Sequence, residues 1–166
     1  MSIVVSDTSP IRALEWIGRL DLLPRLYGIV LVPPTVASEL LNTGPRFRRI
    51  DVTMISGLEV RHLVGSIPLT VVQPLDAGEA EALSLAIEIR ATHVLIDESD
   101  GRRVASELGL IAVGTLGILL QAKDRGLVER IGPLIQRLRD GLGFFLSDFI
   151  VAYALEQAGE SGTPLT

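Results

Sequence analysis

The stretch from His93 to Arg103 constrains this chain most. Val94, Leu95 and Ile96 run unbroken into Asp97, Glu98 and Asp100, and the helical spacing Val104, Ala105, Leu108 follows at once. A short continuous apolar run is the pattern of a strand buried on both faces, so the segment predicts strand, turn and helix in immediate succession. In open parallel α/β sheets, ligands bind in the crevice beyond the carboxyl ends of the strands. The three carboxylates project into that region.

Other parts of the chain repeat the unit. Ile3, Val4 and Val5 predict a strand ending at Ser6-Asp7-Thr8-Ser9-Pro10, then a helix with Ser9 as N-cap, Pro10 in its first position and the stripe Ile11, Leu14, Ile17, Leu20. Gly28 to Val32 predicts a second strand, closed by Pro33-Pro34. Thr35 then caps a helix through Leu41, on which Glu39 borders the buried side. Asp76-Ala77-Gly78-Glu79 has capping-box spacing and opens an apolar helix on which Glu81 faces water. Leu110 to Val113 leads through Gly114-Thr115-Leu116-Gly117 into a helix ending near Lys123. Further helices are expected over Leu127 to Arg139 and, capped by Ser147, from Asp148 to about Gln157. From Asn42 to Pro74, Gly and Pro interrupt the pattern. Only a short strand at Val71-Val72 and a basic tetrad, Arg46-Phe47-Arg48-Arg49, stand out there, the tetrad either solvated or touching phosphates. The expectation is one three-layer α/β/α domain over residues 1–157 with a four- to five-stranded parallel sheet, followed by a flexible tail over 158–166.

Composition narrows the chemistry. A chain of 166 residues suffices for one full core, and although 48% of it is hydrophobic, no apolar run approaches the length of a membrane span. With no basic leader before the first apolar residues, a cytoplasmic protein is expected. Cysteine is absent, which removes disulfides, thiolate metal sites and thiol nucleophiles together. Of the two histidines, His62 and His93, the latter lies roughly 13 Å before Asp97 along an extended strand, at the wrong end of the sheet. A net charge of -5 argues against a wholesale electrostatic embrace of nucleic acid but leaves local patches open.

Asp7 and Asp97 both end strands, and Glu39 and Glu79 sit on helices whose starts can face the same edge, so four acids can converge. Each also has an ordinary role open to it. Asp7 can serve as a turn residue favoured by a helix dipole, Glu39 as a solvated side chain, Glu79 as the capping partner of Asp76, and Asp97 as the cap of the next helix. Clustered carboxylates raise one another's pKa unless cations occupy the site. An oxygen-only donor set suits Mg2+ or Mn2+, and two such ions about 3.5 to 4 Å apart serve phosphodiester displacement.

Four motifs in order, Ile3-Val-Val-Ser-Asp7-Thr-Ser-Pro, Val32-Pro-Pro-Thr-Val-Ala-Ser-Glu39-Leu, Asp76-Ala-Gly-Glu79-Ala-Glu-Ala-Leu and Leu95-Ile-Asp97-Glu-Ser-Asp-Gly-Arg-Arg-Val-Ala, resemble the PIN-domain family over nearly the whole chain. Gly114-Thr115-Leu116-Gly117 and the helix after Gly143-Phe-Phe-Leu-Ser147 are similar to the subgroup near the VapC-type toxins. The resemblance implies a Mg2+- or Mn2+-dependent ribonuclease, often the toxin of a toxin-antitoxin pair and often a homodimer. On it, Asp7, Glu39, Glu79 and Asp97 form the acidic site, Asp100 is an additional ligand or a first-turn dipole partner, and Thr115 is a hydroxyl beside the site or an N-cap. Many members carry Asp where this chain has Glu79.

Two other classes compete with that reading. A phosphorylation-receiver-like phosphate enzyme also gathers acids at strand ends but wants a Lys after its final strand, and Gly114-Thr115-Leu116-Gly117 has none. A non-catalytic PIN-like interaction module would keep the fold alone. Phe144, Phe145, Leu146, Phe149, Ile150, Tyr153 and Leu155 lie on and before a helix too short to bury every side, which either closes the outer face of the sheet or meets another chain.

Overall fold

Strands of three residues set the architecture of the computed structural model, which describes residues 2–66 and 75–162. In chain order these residues form β1 (Val4–Ser6), α1 (Thr8–Trp16), α2 (Leu22–Tyr27), β2 (Val30–Val32), α3 (Pro34–Leu41), β3 (Leu58–Val60) and α4 (Ala77–Glu88). There follow β4 (His93–Leu95), α5 (Ser99–Glu107), β5 (Ile111–Val113), α6 (Thr115–Asp124), α7 (Gly132–Arg137) and α8 (Asp148–Gln157). The five strands are all parallel, in the order β3-β2-β1-β4-β5.

Alternation along these short strands makes the three layers. Val4, Val30, Val32 and Leu95 turn to one face and pack with Ile11, Leu14, Ile118 and Leu119. Val5, Leu31, Val94 and Ile96 turn to the other and pack with Leu83, Leu85 and Val104. Each core side chain of this size contributes about 1.5 to 3 kcal/mol when fully removed from water. The strand order reverses direction between β1 and β4, so the crevice beyond their carboxyl ends is the topological switch point of the sheet. Asp7 follows β1 and Asp97 closely follows β4, with the backbone N–H of Asp7 donating to the Leu95 carbonyl at 2.9 Å.

Several boundaries differ from those expected. Helix α1 starts at Thr8 with Asp7, not Ser9, in the cap position, because Pro10 is tolerated anywhere in a first turn whose N–H groups have no partner. Pro33 is extended, as a residue before proline must be, so α3 starts at Pro34, and Thr35 lies inside its first turn. Glu81 does not simply face water, since it accepts from the Thr35 N–H at 2.9 Å. Glu98 rather than Asp97 precedes α5, and Gly114 rather than Thr115 precedes α6. The helix expected from Leu127 begins only at Gly132, because the Pro133 ring would collide with the carbonyl four residues back; it runs on through a wider turn at Leu138–Leu142. Helix α2 and edge strand β3 were not anticipated, and the strand expected at Val71-Val72 lies outside the described residues.

The chain stays docked past Gln157. Glu160 is only 5% exposed and accepts from the N–H groups of Ile131 at 2.9 Å and Gly132 at 3.1 Å, with Lys123 Nζ at 3.3 Å. Burial alone would raise its pKa, but these donors outweigh burial and hold it below the usual range. Glu160→Ala strands two buried N–H groups and should cost about 2 to 4 kcal/mol in urea denaturation. A depressed carboxylate stabilises above its unfolded pKa, so the deficit should be largest above about pH 5 and shrink as pH falls further, leaving the part due to the stranded N–H groups.

Candidate active site

Asp7 comes to rest at the head of α1 with extended backbone and no capping bond from its side chain. It is 4% exposed, and its Oδ1 has no hydrogen-bond partner among the described residues. Burial is the main force that pushes its pKa up to about 7. The Thr8 N–H opposes the rise, and Asp76, Glu79 and Glu39 add to it. Those three acids therefore lie within electrostatic reach of Asp7.

Glu39 is brought in by α3. Its Oε2 accepts from the Thr8 hydroxyl, which ties it to the residue after Asp7. Both its carboxylate oxygens lie 2.9 Å from where a Cβ on Gly78 would stand, so the carboxylate rests on the bare first turn of α4. Arg12 secures the same corner by donating to the Glu39 carbonyl at 3.3 Å and the Thr43 hydroxyl at 3.0 Å.

Glu79 divides its two oxygens between two roles. Oε2 accepts from the Asp76 N–H at 3.1 Å while Asp76 Oδ1 accepts from the Glu79 N–H at 2.8 Å, completing the capping box read from the sequence. Oε1 is buried with no partner among the described residues, 3.1 Å from the position a Cβ on Gly101 would take. Burial raises the Glu79 pKa, the Asp76 N–H opposes this, and the charges of Asp76, Glu98 and Asp100 reinforce it.

Asp97 is held differently. Its Oδ1 accepts the Thr115 N–H at 2.7 Å and its Oδ2 the Thr115 hydroxyl at 2.8 Å, clamping β4 to the head of α6. Burial raises its pKa against the pull of Thr115, the Ser9 hydroxyl and the charge of Arg102. Asp100 is exposed and pairs with Arg103 at 3.4 Å, the ordinary first-turn role. The structure thus groups Asp7, Glu39 and Glu79, places Asp97 on the neighbouring strand end, and keeps Asp100 on the surface. The sequence marks Asp76 and Ser9 only as caps; in the structure Asp76 also adds its charge to Asp7, and the Ser9 hydroxyl reaches Asp97. The place of Ser9 in the first turn of α1, two residues past Asp7, was the available signal.

Among the described residues no three Asp, Glu or His side chains form a ready-made cation cage. The donor chemistry nevertheless suits a hard divalent ion, because every donor is oxygen and two buried carboxylate oxygens lack a hydrogen-bond donor. Beside Asp97 opens a groove of about 1230 Å³ whose walls include Arg12, Phe47, Arg102, Phe145 and Tyr153. Neither Asp7, Glu39 nor Glu79 lines it.

Carboxylates gathered at the switch point of a five-stranded parallel sheet define an α/β/α domain with an acidic site. Residues 3–160 match the model of the DUF3368 family of PIN domains, and the chain belongs to the PIN-domain family. PIN domains are typically nucleases and generally use divalent metal ions. The fold is shared with a PilT N-terminus domain protein from the hyperthermophilic archaeon Sulfolobus solfataricus P2, at 24% identity and a TM-score of 0.52, over 70% of this chain and 90% of that one. No curated protein matches the chain. Among the described residues no helix is long and apolar enough to cross a membrane.

The raised pKa of Asp7 has a definite stability consequence. The folded state binds its proton more tightly than the unfolded state, so metal-free stability should fall as pH rises from about 3.8 to about 7. Asp7→Asn removes that charge and should stabilise the metal-free protein by about 2 to 4 kcal/mol above neutral pH, with little effect near pH 4. Urea midpoints in EDTA across this range measure the effect. A variant less stable at all pH values would show that the carboxylate is structural.

Proposed function

We propose that the chain is a Mg2+- or Mn2+-dependent endoribonuclease that hydrolyses RNA phosphodiester bonds and acts in the cytoplasm as the toxin of a toxin-antitoxin pair. The observation that carries this reading is the pair of donorless buried oxygens, Asp7 Oδ1 and Glu79 Oε1, in a family typically made of nucleases. Asp7 and Asp97 would hold the ion together with Glu39 and Glu79, and Asp100 could reach it only through water. Bound there, the ion would neutralise the phosphate and supply a water activated for attack on phosphorus. Thr115 fixes the orientation of the Asp97 carboxylate through both oxygens, Thr8 fixes Glu39, and Glu39 or Glu79 would orient the attacking water.

Cleavage of a mixed RNA pool tests the reading. Activity is expected with Mg2+ or Mn2+, none with EDTA, and a loss of at least about a hundredfold in Asp97→Asn, which removes the carboxylate charge while keeping an acceptor for Thr115. A non-catalytic interaction module is the second reading, favoured by the engagement of both Asp97 oxygens with Thr115. Metal binding and cleavage both absent would establish that alternative, whereas cleavage undiminished by EDTA would exclude the metal mechanism.

The region around α8 supports a partner surface. Val151 and Ala154 are buried, while Phe145 is 92% and Phe149 77% exposed, with Ile150 and Tyr153 beside them. A contiguous apolar patch of this kind marks an association surface. We assign it to a homodimer and, across the adjoining groove, to an antitoxin segment that inserts Arg or Lys near the acids. Sedimentation at micromolar concentration should show a dimer that Phe149→Glu weakens at least tenfold. Purification from the native host should bring down a small companion protein. A monomer at every concentration removes the dimer, and recovery without a companion removes the antitoxin.

A further inference from the structure

Arg102 and Arg103 are neighbours in sequence with opposite surroundings. Arg103 lies along α5 between Asp100 at 3.4 Å and Glu107 at 3.1 Å and is engaged on its own helix. Arg102 turns the other way, over the residue that precedes α6. A Cβ on Gly114 would stand 2.4 Å from its Nη1, so the guanidinium occupies space that only glycine leaves open. Asp97 feels its positive charge, yet the Arg102 guanidinium makes no hydrogen bond among the described residues, the backbone N–H alone donating to the Glu98 carbonyl at 2.9 Å. It shares the wall of the large groove with Ser9, Arg12, Phe47 and Asp97. Arg12, the other cation of that wall, is committed to the Thr43 hydroxyl and the Glu39 carbonyl and stacks 4.7 Å from the centre of the Phe47 ring. Arg102 is thus the groove cation whose donors remain available.

We propose that Arg102 is a substrate-binding residue that grips the non-bridging oxygens of the RNA phosphate brought up to Asp97, an assignment that rests on the nuclease reading above. A protein of net charge -5 whose site is built from carboxylates repels a polyanion unless a cation meets the phosphate at the point of entry. Guanidinium presents several N–H donors in a planar fork that matches two phosphate oxygens at once, and Asp97 beside it keeps the fork close to the acids. The missing side chain at Gly114 leaves open the space in which that fork lies.

Binding separates this assignment from catalysis. Anisotropy of a labelled single-stranded RNA is measured in Ca2+ and again in EDTA, between about 50 and 200 mM salt, for the native chain, Arg102→Ala, Arg102→Lys and Arg103→Ala. Arg102→Ala should bind about tenfold more weakly and lose about 0.7 from the slope of log affinity against log salt, the mark of one lost phosphate contact on a single strand. Arg102→Lys should keep the slope with part of the affinity, and Arg103→Ala should leave both unchanged. Affinity and slope unaltered in a folded Arg102→Ala would overturn the assignment and leave the nuclease reading standing, as would an equal loss in Arg103→Ala. A native chain that binds no RNA in either buffer would overturn both.

Discussion

The clamp between Asp97 and Thr115 is the contact on which the site depends. Strand β4 is only three residues long, and past its pairing with β1 and β5 the backbone at its carboxyl end is held by the Asp7 N–H bond to Leu95 at 2.9 Å and the Ile96 N–H bond to Val113 at 3.0 Å. Two charge-assisted bonds from one threonine fix the head of α6 against that end, and burial in this setting makes each stronger than it would be in water. Because β1 lies beside β4 in register, Ser6 against Leu95, the same clamp also sets the depth of Asp7.

The other acids lean on helix starts. Glu39 rests against Gly78 in the first turn of α4, Glu79 against Gly101 in the first turn of α5, and Asp97 against Gly114 just before α6. A first turn carries unsatisfied N–H groups and the positive end of the helix dipole, and a glycine there lets a carboxylate approach closely. Three helix starts thereby offset part of the repulsion among the acids without supplying a counter-ion. Burial is the main force that raises the pKa of Asp7, Glu79 and Asp97, and neighbouring acids add to it at Asp7 and Glu79 alone.

Much of this was legible in the sequence for identifiable reasons. Four of the five strands are apolar runs that enter turns of Gly, Pro, Ser or Asp, and the capping box at Asp76 to Glu79 and the Ser147 cap of α8 appear as read. Strand β3 escaped because only Leu58 of its three residues is fully buried, so no alternation can be seen. Proline misplaced three helix starts because its fixed φ suits several first-turn positions and the sequence does not say which. Asp7 and Asp97 were legible as residues just past strand ends, Glu79 as a first-turn residue and Glu39 as an acid bordering the buried side of its helix. What Glu79 does beyond the cap was not, since only the structure shows one of its oxygens in the capping box and the other buried without a donor among the described residues. Arg102 and Arg103 read identically as a pair, and only their surroundings separate them.

Two buried carboxylates show how structural and functional burial differ. Glu160 and Asp7 are hidden to nearly the same extent, 5% and 4% exposed. Glu160 collects two backbone N–H groups and a lysine, and its pKa falls, so its charge contributes to holding the C-terminal segment against α7. Asp7 collects other acids, keeps one oxygen without a donor, and its pKa rises to about 7. A fold can bury a carboxylate at either place, but only the first burial repays itself in stability. Retaining the second makes physical sense where something outside the chain supplies the missing positive charge. The switch point of the sheet, where a cation and a phosphate would meet these oxygens together, is where that deficit lies.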